Sequence, residues 1–174
     1  MRAVVVYESM FGDGQQIAES VTQGLTGAGL VVEAFEVGEA PERIDPDVAL
    51  LVVGAPTHAT ALSRPATRED AAKKSDGHLV SSGIGVREWL KGLHAGDGSI
   101  RVAVWDTRAR GPKAITSLDH AATTIRKRLG KLGFGELLGE EHFFVEDVRG
   151  PLVDGERKRA LSWAEQLAAL LRHP

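Results

Sequence analysis

Residues 4–21 read VVVYESMFGDGQQIAESV. The apolar run Val4-Val5-Val6-Tyr7 breaks into a short polar loop holding Gly12 and Gly14, and the loop opens into a helical pattern. A strand that passes through a tight loop into a helix leaves the helix's first backbone N–H groups unpaired at the positive end of its dipole. That is how a chain seats a phosphate. The rest of the chain decides which phosphate.

Strand and helix patterns alternate to the end. Residues 2–8 form the first apolar strand; Val31, Val32, Ala34, Phe35 and Val37 predict a second, and DVALLVVG (47–54) a third. RVAVWD (101–106) predicts a fourth, and 137–146, around HFFVE, a fifth. Between them, Ile17, Val21, Leu25 and Ala28 share one helical face over 14–28. Ile115, Leu118, Ala122, Ile125, Leu129 and Leu132 do the same over 115–132, and Leu161, Ala164, Leu167, Ala168 and Leu171 over 154–172. A further helix is expected within 84–94. Continuous apolar strands separated by helices mean a parallel sheet covered on both faces. The long connection 55–100 is polar over 64–82, the kind of segment that carries function or lacks fixed structure. No repeat or linker divides the chain, so one domain is expected over 1–174.

The 174 residues are 43% hydrophobic and 26% charged, a globular balance with a core of ordinary size. The absence of cysteine excludes disulfides, thiol catalysis and thiolate-held metal centres. No leader pattern opens the sequence and no run reaches the roughly 20 apolar residues of a membrane span, which predicts a cytoplasmic protein. With a net charge of −3 and only Arg126-Lys127-Arg128 clustered, no nucleic-acid surface is expected. Trp89, Trp105 and Trp163 sit within regular patterns and are assigned to the core.

In open parallel sheets ligands lie beyond the carboxyl ends of the strands, which directs attention to loops 8–14, 55–63 and 106–113. Gly12-Asp13-Gly14-Gln15-Gln16-Ile17 falls short of the dinucleotide fingerprint. Ile17 replaces the glycine that lets helix and strand approach, and four residues separate the strand from the first glycine. The lysine-bearing phosphate loop is absent. Phosphoacceptor chemistry of the receiver type is excluded because the third strand ends Gly54-Ala55-Pro56 rather than in an aspartate. The six histidines show no ligand spacing, so no metal site is expected. There is no G-x-S-x-G elbow, and Ser9 with His58 has no orienting acid. No catalytic residue is assigned.

The first motif, V-V-Y-E-S-M-F-G-D-G-Q-Q-I-A-E-S-V, resembles the flavodoxin signature almost throughout. GAPTHATALSRP (54–65), VWDTRARGP (104–112) and FFVEDVRGPL (143–152) are similar to later segments of short flavodoxin-domain proteins, so the likeness spans nearly the whole chain. It implies a three-layer α/β/α flavodoxin-like fold with a five-stranded parallel sheet in the order 2-1-3-4-5. It implies FMN as cofactor and electron transfer to a redox partner protein, with no membrane or nucleic acid involved. The phosphate contacts carried over are Ser9, Met10 and Phe11, then Gly12, Asp13 and Gly14. Ring contacts on one side are Pro56, Thr57, His58, Ala59, Thr60 and Leu62. On the other they are Asp106, Thr107, Arg108 and Gly111.

Three departures predict a weakened flavin site. The pattern has threonine where this chain has Gly14, and a hydrogen bond to a charged group contributes about 1.5–3 kcal/mol. It has asparagine where Asp13 brings a carboxylate toward a phosphate dianion. Like charges about 4 Å apart repel by roughly 4 kcal/mol at an effective dielectric near 20. The later loops carry no aromatic residue except His58. Restoring the pattern, Asp13→Asn with Gly14→Thr, is expected to tighten FMN binding at least tenfold, while Arg108 and Arg110 return some positive charge. Asp13 has a structural alternative as N-cap of the first helix. The functional alternative is a flavin-free binding or interaction module on the same fold.

Overall fold

The computed structural model describes residues 1–58, 61–75, 78–110 and 121–172. Five parallel strands, β1 (Arg2–Tyr7), β2 (Val31–Glu36), β3 (Val48–Pro56), β4 (Arg101–Ala109) and β5 (Leu137–Val145), form one sheet in the order β2-β1-β3-β4-β5. The described helices are α1 (Asp13–Gly27), α2 (Pro65–Lys74), α3 (Val86–Gly92), α4 (Ala121–Lys131) and α5 (Glu156–Arg172).

Side chains on successive strand residues point to opposite faces, and the apolar runs fill both. Val4, Val6, Leu51, Val53, Val102 and Val104 meet Trp89 and Leu90 of α3 and Ile125 and Leu129 of α4. On the other face Val5, Leu50, Val52 and Trp105 meet Ile17 and Val21 of α1 and Trp163 and Leu167 of α5. Each such fully buried side chain contributes about 1.5–3 kcal/mol of transfer free energy. All three tryptophans are buried, as expected. Trp105 and Trp163 each pack edge-to-face with Phe143, at 6.1 and 6.0 Å between ring centres.

The layered architecture and strand order are those expected. Two elements differ from the sequence reading. β4 continues three residues past Asp106, because Thr107, Arg108 and Ala109 pair with Phe143, Phe144 and Val145 of β5. The polar connection 64–82 contains α2, which has no apolar stripe and buries only Arg68 and Ala71. Its start is fixed by Pro65 in the first turn and by Thr67, whose Oγ1 accepts the Arg64 N–H at 2.8 Å. The first half of the helix expected over 115–132 lies outside the described residues.

Arg126 of the basic run faces Glu140 at 3.3 Å, and Glu141 pairs with Arg159 at 3.0 Å, so these charges are spent within the fold. Among the described residues no helix is long and apolar enough to cross a membrane.

Candidate functional site

β1 ends at Tyr7, and the Glu8 N–H bonds the Gly54 carbonyl at 3.0 Å. The next residues are held from outside by the segment before α3. Val80 N–H donates to the Met10 carbonyl (3.1 Å), Ser81 N–H donates to the Ser9 carbonyl (2.7 Å), and Ser9 N–H donates to Ser81 Oγ (2.9 Å). Gly12 turns the chain into α1 with a φ of 100°, a left-handed conformation that favours glycine. Its N–H donates to Ser9 Oγ at 3.2 Å, so the Ser9 oxygen braces the turn as an acceptor. The first bond of the helix runs from Gln16 N–H to the Gly12 carbonyl. The backbone N–H groups of Met10, Phe11, Gly14 and Gln15 have no partner among the described residues. They form a crown of free donors that includes three of the expected phosphate contacts, Met10, Phe11 and Gly14, adds Gln15, and leaves out Gly12, whose N–H is taken.

Asp13 is the first residue of α1; the N-cap is Gly12, which corrects the N-cap alternative. The Asp13 carboxylate points at the loop before α5, so close to Gly150 that a Cβ there would lie 2.6 Å from it. Burial raises its pKa, against the pull of the backbone N–H groups of Leu152 and of Asp13 itself. Gly14 has no room for a side chain, since a Cβ would fall 2.8 Å from the Glu8 carbonyl.

The crown opens on a cleft of about 330 Å³ at the carboxyl end of the sheet. Ser9, Met10, Phe11, Asp13 and Gly14 line it from the first loop, Pro56, Thr57 and His58 from the end of β3, and Thr107 and Arg108 from β4. The three loops therefore converge. The Thr57 hydroxyl is buried and has no hydrogen-bond partner among the described residues. Burial, then Arg68 and Lys74, lower the His58 pKa, so its imidazole is neutral at pH 7. Ser9 and His58 share the cleft but make no dyad, and no metal-binding cluster occurs among the described residues.

Other expected contacts fall elsewhere. Leu62 is in the core at 2% exposure, and Gly12 stands outside the cleft lining. Ala59, Thr60 and Gly111 lie outside the described residues. Asp106 is fully buried and is not among the residues that line the cleft. Its two oxygens take Arg108 Nε at 2.9 Å and an Arg108 terminal nitrogen at 2.7 Å, one accepts the Ala122 N–H at 3.0 Å, and His142 Nδ1 lies 3.1 Å away. Burial raises the Asp106 pKa, but His142 and Arg108 together outweigh it and hold the carboxyl below its usual range. The positive charge expected of Arg108 is thus balanced inside the fold.

Sequence reasoning missed the fourth wall. Thr67, Asp70, Ala71 and Lys74 of α2 line the cleft, with Val145 and Val148 from the end of β5 and the loop after it. The signal available was their spacing of i, i+3, i+4 and i+7, one face of a helix, in residues too polar to read as an amphipathic stripe.

Beneath the first loop lies a second polar cluster. Glu8 is fully buried; one carboxyl oxygen accepts the Val86 N–H at 2.8 Å and the other has no partner among the described residues. Arg68 reaches Ser63 Oγ at 2.9 Å and Glu88 at 3.0 Å. Burial raises the Glu8 pKa more than Ser63, Val86 and Arg68 lower it. A carboxyl with a raised folded pKa binds its proton more tightly in the folded state. Its cost is therefore absent below the unfolded value near 4.3 and appears as pH rises through the folded value. Urea melts at pH 5 and pH 8 should show the natural chain losing stability relative to Glu8→Gln as pH rises. Parallel behaviour of the two would mean that Glu8 is ionised throughout.

No protein-family description and no curated protein match the chain. Solved structures do. Flavodoxin 1 from Bacillus cereus superposes with a TM-score of 0.67 at 14% identity, covering 100% of this chain and 99% of that one. A Streptococcus pneumoniae flavodoxin gives 0.65 at 19% identity with 98% and 99% covered, and an archaeal flavodoxin 0.62 at 14% with 99% and 100%. The chain has the flavodoxin-like fold. At these identities the likeness is one of architecture, and the site must be argued from its own residues.

Proposed function

We propose that the chain is a single-domain, cytoplasmic, FMN-binding redox protein of flavodoxin type, with a flavin site weaker than the family pattern. The observation that carries this reading is the crown of free N–H groups at the start of α1, opening on a cleft shared with the ends of β3 and β4. The residues fit the group. The N–H groups of Met10, Phe11, Gly14 and Gln15 are the donors for its phosphate. The Thr57 hydroxyl, without a partner among the described residues, suits a polar ring edge, and Met10, Phe11 and Val148 supply apolar contact. Bound FMN would supply one- and two-electron transfer; the protein orients it and leaves its mouth open to a redox partner.

Asp13 on the cleft wall favours the second reading, a module that keeps the fold without the flavin. Titrating FMN with the purified protein separates the two. A saturable, partial loss of flavin fluorescence is expected, because no tryptophan or tyrosine is among the described residues that line the cleft. Unchanged fluorescence up to the highest protein concentration, in a colourless preparation, would leave the flavin-free module.

A further inference from the structure

From the cleft geometry we infer that α2 is the fourth wall of this seat and that its Lys74 contacts the phosphate monoester of the bound flavin. The inference rests on the FMN reading and adds to it a residue outside the three ligand loops. Thr67, Asp70, Ala71 and Lys74 form one face of α2, and all four line the cleft together with Ser9, Met10 and Asp13. That face is polar where a helix packed only for stability would be apolar.

Among the described residues that line the cleft, the charges leave one cation to meet an anion. Arg108 is engaged bidentately by Asp106, at 2.9 and 2.7 Å. Asp70 faces Lys73 at 3.5 Å, and Lys73 does not line the cleft. Lys74 lines it and has no ion pair among the described residues. Its field reaches the cleft interior, where it helps keep His58 neutral. The ordinary role of a lysine in the last turn of a helix is to complement the dipole. Lys73 and Lys74 share that role equally, and only Lys74 adds a position on the cleft. A cation there also offsets the charge of Asp13, which lines the same cleft.

The test compares FMN with riboflavin, which has the same ring and no phosphate, by fluorescence titration of the natural chain, Lys74→Gln and Lys73→Gln. Lys74→Gln is expected to weaken FMN binding about tenfold and leave riboflavin binding unchanged. Its effect should shrink as salt is raised, since an exposed charge is screened. Lys73→Gln should behave as the natural chain. An equal loss for both flavins, no loss with Lys74→Gln, or the same loss with Lys73→Gln overturns the inference while the FMN reading stands. A natural chain that binds neither flavin overturns both.

Discussion

Gly54→Ala should destabilise the protein by about 3 kcal/mol or more. Gly54 stands in β3 directly beside Trp105 of β4, and a Cβ built on it would lie 1.8 Å from the indole. That ring is fully buried and wedged against Phe143, so it has nowhere to retreat. Forcing a methyl group into a packed core costs about 1–3 kcal/mol. Displacing the indole as well approaches the roughly 3–5 kcal/mol of losing a core aromatic. Against a total stability of about 5–15 kcal/mol this is severe. The midpoint of urea unfolding should fall sharply, with loss of the native tryptophan fluorescence at lower denaturant. An unchanged midpoint would mean that Trp105 is not packed over Gly54.

The second large effect is at Gly14, and its sign is opposite to the one the family pattern suggests. Threonine there should weaken FMN binding at least tenfold and lower stability by about 1–3 kcal/mol. The obstacle is backbone. The Glu8 carbonyl lies 2.8 Å from the position a Cβ would take, and Glu8 is itself tied to β3 through the Gly54 carbonyl. The added hydroxyl, worth about 1.5–3 kcal/mol to a charged group, becomes available only in a loop that has shifted away from the crown. Paired FMN titrations and thermal melts of Gly14→Ala and Gly14→Thr check this. Tighter binding by the threonine variant would restore the expectation drawn from the pattern.

What the sequence made legible was whatever depends on periodicity. Val4 to Val6, Leu50 to Val53 and Val102 to Val104 read as buried strands because their runs are continuous. The α1 and α5 faces read as helices because their apolar residues recur at 3 and 4. Order and topology then place the loops after β1, β3 and β4 at one end of the sheet, and the cleft is there.

The unread parts depend on what side chains do across the sheet. Asp106 looked like the first residue of a ligand loop, but pairing with β5 carries the strand on to Ala109. Asp106 therefore remains inside the sheet, where its carboxylate meets Arg108 and Ala122. Gly14 looked like a missing hydroxyl, while in space it is the clearance over a carbonyl. The α2 wall was hidden because a helix that faces a polar cleft has no hydrophobic signature to give it away.

The bonds from Val80 and Ser81 to the carbonyls of Met10 and Ser9 bear on kinetics. The outer edge of the first loop is paired before any ligand arrives, and its inner edge is fixed by Ser9 Oγ on the Gly12 N–H. The donors thus stand in place on both sides of the turn. On the proposed function, a phosphate entering the cleft would meet donors already held in place, and little ordering entropy would be charged to the encounter. Its arrival would then be governed by diffusion and charge.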